Sequence, residues 1–494
     1  MSIVHKKSFL GLIIAYSGIA FGAFIVIILL PNFFTPEEFG LRSFIFDLSL
    51  VFAQLFMAGL SGSIIKFYPR LKSSPSLKSE LILKSLSIVI ILFTITYSLF
   101  LIFEEQVLEL FNEQSPLAST YFTYGIFIGL VLAIFQILET YCRNIYSFNY
   151  SRILKDVIFR FLSISLIILF GLKYIKLSVF WNLTVISYLI IITLLILHII
   201  KKDHFKIQLN SIWRVPKKIK EISTYSTFSL LSSSSSMLLS KIDAIMITAL
   251  IGLESTAVYS MVIFISILIE TPKKILSQVV SPLISTAINE SNQHQLEQIY
   301  KKTSETLTLI STFSLALIWV NLDTLFSLIP NGELFSTGKI SFLLLGMAKV
   351  TDMLFSCNNE ILSYSKEYKQ NFIATTTLIF FTILSNYLLI PTYGITGAAG
   401  ATLVSVILFN IYKAYIIKVR LNLSFFKRNT LINFVLVGLI YLIWESLTNI
   451  NNLYLKSFIG SSSIIFLYLF GIFKLNLSEE VKRFIEEFLR RLRK

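Results

Sequence analysis

The chain has 494 residues, of which 55% are hydrophobic and 14% are charged, and it carries a formal net charge of +15. Soluble domains hold about 25% charged residues, so this composition excludes an ordinary water-soluble fold. Because the excess Lys and Arg residues are spread over short loops and form no compact basic domain, the sequence also excludes a nucleic-acid-binding module.

Fourteen apolar stretches follow one another along the chain. Each has about 20 residues or more, the length that an α-helix needs to cross about 30 Å of hydrocarbon. We therefore predict an all-α polytopic membrane protein with 14 transmembrane helices. The predicted spans are, in chain order, 8–30, 41–63, 80–103, 119–142, 151–172, 177–200, 222–250, 256–280, 304–329, 340–363, 370–390, 394–416, 430–448 and 454–474.

The loops between these spans alternate between basic and nearly free of Lys and Arg. With the N-terminus in the cytoplasm, the inside segments hold 34 of the 43 Lys and Arg residues, and the outside loops hold 4. Positive residues are retained on the cytoplasmic side during insertion, so the asymmetry predicts that both termini are cytoplasmic.

The chain also contains a weak internal duplication. The pattern Tyr-Ser-x-x-Tyr after the fourth span, at 146–150, recurs after the tenth span at 364–368, a shift of 218 positions. Glu37 and Glu254, which precede the second and eighth spans, differ by 217. Two parallel six-helix lobes are therefore predicted, an arrangement that transporters use as rocking bundles around a substrate.

This repeat divides the chain into five predicted parts. The last is an amphipathic helix, which we expect to lie on the anionic inner leaflet or to bind a partner. The parts are an N-terminal lobe at 1–200, a basic cytoplasmic linker at 201–221, a C-terminal lobe at 222–428, two additional transmembrane helices at 429–475 and the amphipathic cytoplasmic helix at 476–494.

The most specific local sequence is Asn-Tyr-Leu-Leu-Ile-Pro-Thr-Tyr-Gly-Ile-Thr-Gly-Ala-Ala-Gly-Ala-Thr at 386–402. Pro391 and Gly394 suit a tight turn, and the small residues after them allow a helix to approach its neighbour closely. This string strongly resembles the turn between helices eleven and twelve of bacterial polysaccharide and O-antigen-unit flippases, in the multidrug/oligosaccharidyl-lipid/polysaccharide exporter superfamily. The segments 35–41, 240–243 and 252–259 are similar to other parts of the same family.

The resemblance implies a flippase for surface polysaccharide biosynthesis in the bacterial cytoplasmic (inner) membrane. Its substrate would be undecaprenyl-pyrophosphate-linked oligosaccharide, moved from the inner to the outer leaflet by alternating access among membrane lipids. Polysaccharide polymerase or chain-length machinery is the class of protein partner that this function implies. Two alternatives remain open at this point: a cation-coupled drug or metabolite antiporter of the same superfamily, and a membrane-embedded glycan polymerase or glycosyltransferase.

Charged residues inside the predicted spans are the candidate site residues, because a charge in the bilayer needs a partner or a water-filled cavity. Cations suit the pyrophosphate of the expected substrate, and Arg42 could bind it bidentately. Two of them also have a structural explanation, since Asp156 could neutralise Arg160 and Asp352 could neutralise Lys349 on the same helix face. Lys241 and Asp243 are two residues apart and point in different directions, so they cannot satisfy each other well. The predicted substrate-binding cations are Arg42, Arg160, Lys241 and Lys349, and the predicted ion-coupling acids are Asp47, Asp243 and Asp352.

No catalytic, cofactor or metal site is predicted. The four histidines lack ligand spacing, and no Gly-rich phosphate-binding motif is present. Only a coupling ion, H⁺ or Na⁺, is considered, and the membrane potential is an alternative driving force for an anionic substrate.

Overall fold

The computed structural model describes residues 17–68, 75–145, 147–203, 237, 240–424, part of 432–445, and 452–492. Every regular element among these residues is helical, and they contain no strand. The chain divides into two compact units, Met1–Ser260 and Met261–Lys494. The five parts predicted from the sequence stay predictions, and most of the 201–221 linker lies outside the described residues.

The first unit holds ten helices among its described residues and the start of an eleventh. They are α1 (Ser17–Phe33), α2 (Pro36–Met57), α3 (Leu60–Phe67), α4 (Pro75–Ile102), α5 (Glu104–Asn112), α6 (Pro116–Asn144), α7 (Phe148–Ile153), α8 (Phe159–Gly171), α9 (Leu177–Asp203), α10 (240–250) and α11 (Leu253–Asn289). Helices α2 and α6 pack along much of their length, and α6 also packs on α4 and α9.

The second unit holds the rest of α11 and seven further described helices. They are α12 (Gln293–Ser327), α13 (Gly332–Ser336), α14 (Lys339–Leu354), α15 (Asn358–Tyr364), α16 (Tyr368–Leu421), α17 (Leu453–Lys474) and α18 (Glu479–Leu492). Helix α14 packs between α12 and α16, and α12 packs on α17 as well.

Eight of the described helices are long and apolar enough to cross a membrane, and a ninth span results if the bent pair α14 and α15 is counted as one. The chain is therefore a multi-pass membrane protein, as predicted. Most of the seventh and thirteenth predicted spans, 222–250 and 430–448, lies outside the described residues, so the count of 14 stays a prediction.

Several helices are interrupted where the sequence suggested continuous spans. Helix α1 contains a π-helical turn at Phe24–Leu29, and another at Leu154–Ile158 joins α7 to α8. Helices α14 and α15 meet at an angle of 46°. Such breaks in the α-helical hydrogen-bond pattern are frequent at functional sites.

One close backbone contact links two of the segments that resemble the flippase family. A Cβ atom on Gly40 of α2 would lie 1.9 Å from the carbonyl oxygen of Leu253, so only glycine fits there. Helix α2 starts in a fixed position because Thr35 and Glu38 form a reciprocal capping box. Nearby, the Ser115 hydroxyl donates to the carbonyl of Thr248 at 2.7 Å.

The turn predicted at 391–394 is present. Gly394 interrupts α16 with φ 59° and ψ −141°, a left-handed conformation that glycine adopts without strain. After the break, a Cβ on Gly397 would lie 2.3 Å from the carbonyl oxygen of Leu389, and Ala398 and Ala399 are fully buried. The small residues therefore serve close packing, as expected.

The C-terminal amphipathic helix α18 packs against the second unit. Its residues Val481 and Ile485 contact a buried cluster formed by α12 and α17. Lys302 donates to Glu480 at 3.2 Å, and the Thr306 and Ser478 hydroxyls lie 3.1 Å apart. These contacts fix the apolar face of α18 on its own protein along this part of the helix.

Candidate substrate-binding site

Arg42 lies near the start of α2, two residues after the tight contact at Gly40. Its guanidinium carbon lies 4.8 Å from the centroid of the Phe46 ring, one turn further along the helix. Its Nε is buried and has no hydrogen-bond acceptor within the described part of the chain. Within that part, no carboxylate lies within 4 Å of Arg42 either, which leaves a half-buried cation without a counterion.

A second cation, Arg160, lies close enough to Arg42 for the two to repel each other. Tyr188 of α9, which is 6% exposed, lies within electrostatic range of both guanidinium groups. The π-helical turn at Leu154–Ile158 ends two residues before Arg160. Two like charges thus share one region of the first unit.

Asp156 only partly offsets this charge. It lies within electrostatic range of Arg160, but among the described residues the two form no ion pair within 4 Å. A Cβ on Gly18 of α1 would lie 3.1 Å from the Cβ of Asp156, so this acid packs against α1. The four-residue spacing suggests a local pair, but the described part of the chain does not form one.

Lys241 and Asp243, two residues apart on α10, find different partners. Lys241 forms an ion pair with Asp47 of α2 at 2.6 Å, with side chains that are 22% and 13% exposed. Asp243 is buried and accepts a hydrogen bond from the Tyr259 hydroxyl at 2.9 Å. The sequence indicated that neither could satisfy the other, and the structure supplies each with a group from another helix.

In the second unit, four charges join α11 to α14 as two parallel ion pairs. Glu270 pairs with Lys349 at 2.5 Å, and Lys273 pairs with Asp352 at 2.5 Å. Lys273 also donates to the backbone carbonyl of Asp352 at 3.1 Å. Lys349 and Asp352 lie one turn apart on α14, but each pairs with a residue of the facing helix α11. We call the four paired residues of the two helices the charge ladder.

Sequence reasoning missed Lys413. The charge distribution along the sequence places it with the cytoplasmic loop residues, but the structure buries it to 1% exposure. Its ammonium group donates to the Asn359 side chain and lies 3.6 Å from the centroid of the Phe409 ring. The sequence does contain a signal that Lys413 is an interior cation, since it lies inside the predicted span 394–416.

Comparison with known proteins places these residues in a family. The family model described as "Polysaccharide biosynthesis protein" matches residues 6–288, more than half of the chain. The chain belongs to this family. No curated protein matches the sequence.

Solved structures extend the similarity in fold to most of the chain. It is similar to a structure titled "Lipid II flippase MurJ, inward closed conformation", with a TM-score of 0.73, 16% identity, and coverage of 94% of this chain and 98% of that one. An inward-facing multidrug resistance MATE family transporter of the MOP superfamily gives a TM-score of 0.63, 16% identity, and coverage of 81% and 94%. A structure of a MATE protein in complex with MaL6 gives a TM-score of 0.55 and 16% identity, with coverage of 83% of this chain and 94% of that one.

These similarities confirm the predicted superfamily resemblance, and they give the chain a MOP-superfamily transporter fold. The similar structures are titled as a lipid II flippase and as a multidrug resistance transporter. Among the described residues, no group of three or more His, Cys, Asp or Glu side chains could hold a metal ion.

Proposed function

We propose that this protein moves undecaprenyl-pyrophosphate-linked oligosaccharide from the inner to the outer leaflet of the bacterial cytoplasmic membrane by alternating access. The observation that carries the proposal is the pair Arg42 and Arg160, whose charges lack a carboxylate within ion-pair distance in the described part of the chain. Such a pair is stable in a membrane protein when an anionic ligand or water-filled space complements it. A pyrophosphate has several acceptor oxygens, so it can accept bidentate hydrogen bonds from two guanidinium groups.

The other predicted cations support a subsidiary role. Lys241 and Lys349 already have carboxylate partners, Asp47 and Glu270, so each must leave an acid in order to bind a phosphate. Transfer of Lys241 to the substrate would leave Asp47 free to take up H⁺ or Na⁺. Substrate binding and ion binding would then be linked through one lysine.

The acids weigh against the antiporter alternative. A cation-coupled drug antiporter needs carboxylates that can exchange an ion for its substrate. Here Asp352 is held by a lysine and Asp243 by a tyrosine hydroxyl, and Asp47 becomes available to an ion only when Lys241 leaves it for an anionic substrate. The flippase therefore fits the charge distribution better. Polysaccharide polymerase and chain-length proteins are the partners that we propose for it.

Reconstitution in liposomes with a fluorescent lipid-linked glycan tests the proposal. We expect Arg42→Gln and Arg160→Gln each to lower the apparent affinity for the glycan lipid roughly 10- to 100-fold, since each removes a charged hydrogen-bond donor worth about 1.5–3 kcal/mol. The apparent affinity of Arg42→Lys should lie between that of Arg42→Gln and that of the wild type, because lysine keeps the charge but loses the planar guanidinium group.

Lys301→Gln is the matched control, since Lys301 pairs with Glu297 on its own helix at 2.6 Å. It should leave movement of the lipid between leaflets unchanged. Wild-type movement by the double variant Arg42→Gln/Arg160→Gln would refute the cationic site. Dye efflux without glycan movement would instead support the antiporter.

A further inference from the structure

A small apolar cavity lies between α12, α17 and α18 of the second unit. Its volume is about 180 Å³, below the roughly 300 Å³ at which small-molecule sites begin. Each of the three helices contributes large apolar side chains to its wall, among them Leu309, Phe313, Ile465, Leu469, Val481 and Ile485. Water does not occupy such a cavity stably, because the wall offers it too few polar partners.

The cavity borders the outer surface of α17. Ile465 is 45% exposed and Leu469 is 41% exposed, and their neighbour Phe466 is 68% exposed. In a membrane-spanning helix, such side chains face hydrocarbon. An acyl chain in the bilayer can therefore enter the cavity from the side, and the volume suits a segment of one chain.

Basic residues lie close in sequence to lining residues of α17 and α18. Lys474 ends α17 two residues after the lining residue Ile472, and Lys482 and Arg483 follow the lining residue Val481. Lys482 donates to a neutral amide oxygen, that of Asn476 at 2.8 Å, and Arg483 lies 3.9 Å from Glu479 in a strongly exposed pair that a phosphate can replace. From 474 to the C-terminus the chain has seven Lys and Arg residues against four Glu and no Asp, so positive charge remains in excess.

We propose that this is a binding site for an anionic phospholipid of the cytoplasmic leaflet. One acyl chain lies in the cavity, and the phosphate is bound by Lys474, Lys482 and Arg483. Apolar burial and attraction to an anionic headgroup are the two contributions that hold amphipathic helices to membranes. Because Val481 and Ile485 line the cavity, the bound lipid completes the packing of α18 onto α12 and α17.

The test uses the full-length protein in detergent, incubated with phosphatidylglycerol or phosphatidylcholine of identical chains and analysed by native mass spectrometry. We expect the wild type to retain one phosphatidylglycerol in preference to phosphatidylcholine. Replacing Lys474, Lys482 and Arg483, none of which is buried, with Gln should reduce this preference by about fivefold per charge.

Ile465→Trp should fill the cavity and reduce retention of both lipids. The matched control is Phe466→Trp, which adds the same indole on the lipid-facing side of the same helix. Equal retention of the two lipids by the wild type would overturn the proposal. So would unchanged retention in Ile465→Trp, or preferential binding of a polyprenyl phosphate. These readouts do not depend on transport, so they stay separate from the flippase proposal.

Discussion

At the residue scale, the interior charges pair between helices. The sequence shows that Lys349 and Asp352 lie one turn apart, which suggests a local ion pair, but Glu270 and Lys273 on α11 have the same spacing with the opposite order of charge. When the two helices lie side by side, both pairs form across the interface. Spacing along one helix is readable from sequence, whereas the identity of the facing helix is not.

The pair Lys273 and Asp352 predicts a stability effect. Lys273→Met leaves the Asp352 carboxylate in the interior without its cation, so we expect the free energy of unfolding to fall by about 3–5 kcal/mol. The Lys273 side chain is only 11% exposed, so solvent replaces little of the lost interaction. Thermal unfolding of the purified protein in detergent measures the change.

Two variants make that result specific. Lys273→Met/Asp352→Leu removes both charges and should recover much of the lost stability, because no unpaired ion remains. Lys301→Met removes a partly exposed pair within one helix and should cost less than about 1 kcal/mol. Equal melting temperatures for Lys273→Met and Lys301→Met would contradict the assignment of the buried pair.

At the element scale, the sequence predicts helix positions better than helix interruptions. Apolar length is a local property, so the predicted span 119–142 lies inside the observed helix Pro116–Asn144, and Gly394 marks a turn because few other residues adopt its conformation. The π-turn at Leu154–Ile158 follows no glycine or proline signal. No local residue pattern therefore predicts this interruption.

The contact at Gly40 predicts a packing defect. Gly40→Ala places a methyl group against the Leu253 carbonyl, so α2 must move away from α11, and we expect a loss of about 1–3 kcal/mol in unfolding free energy. Gly400→Ala is the control, since its nearest neighbour is a flexible Leu344 methyl at 4.0 Å. It should be neutral, or it should stabilise α16 by up to about 1 kcal/mol. The melting temperatures of both variants in detergent measure the difference. Equal losses in Gly40→Ala and Gly400→Ala would contradict a packing defect specific to Gly40.

At the scale of the whole molecule, the distribution of Lys and Arg predicts orientation. A cysteine introduced at Glu105, in a predicted outer loop, should react with a membrane-impermeant maleimide in intact cells. A cysteine at Lys474 should react only after permeabilisation, because that end of α17 is predicted to be cytoplasmic. Both positions are exposed, whereas the native Cys142 and Cys357 are buried and give little background. The reverse labelling pattern would overturn the predicted topology.

The charge ladder also limits how the second unit can deform. A slide of α14 along α11 by one turn in one direction brings Lys349 opposite Lys273, and a slide in the other direction brings Asp352 opposite Glu270. Either displacement exchanges two attractions for a repulsion between like charges in a medium that screens poorly. Shear between these two helices is therefore disfavoured in both directions, so the proposed transport cycle would have to bend the second unit at other positions.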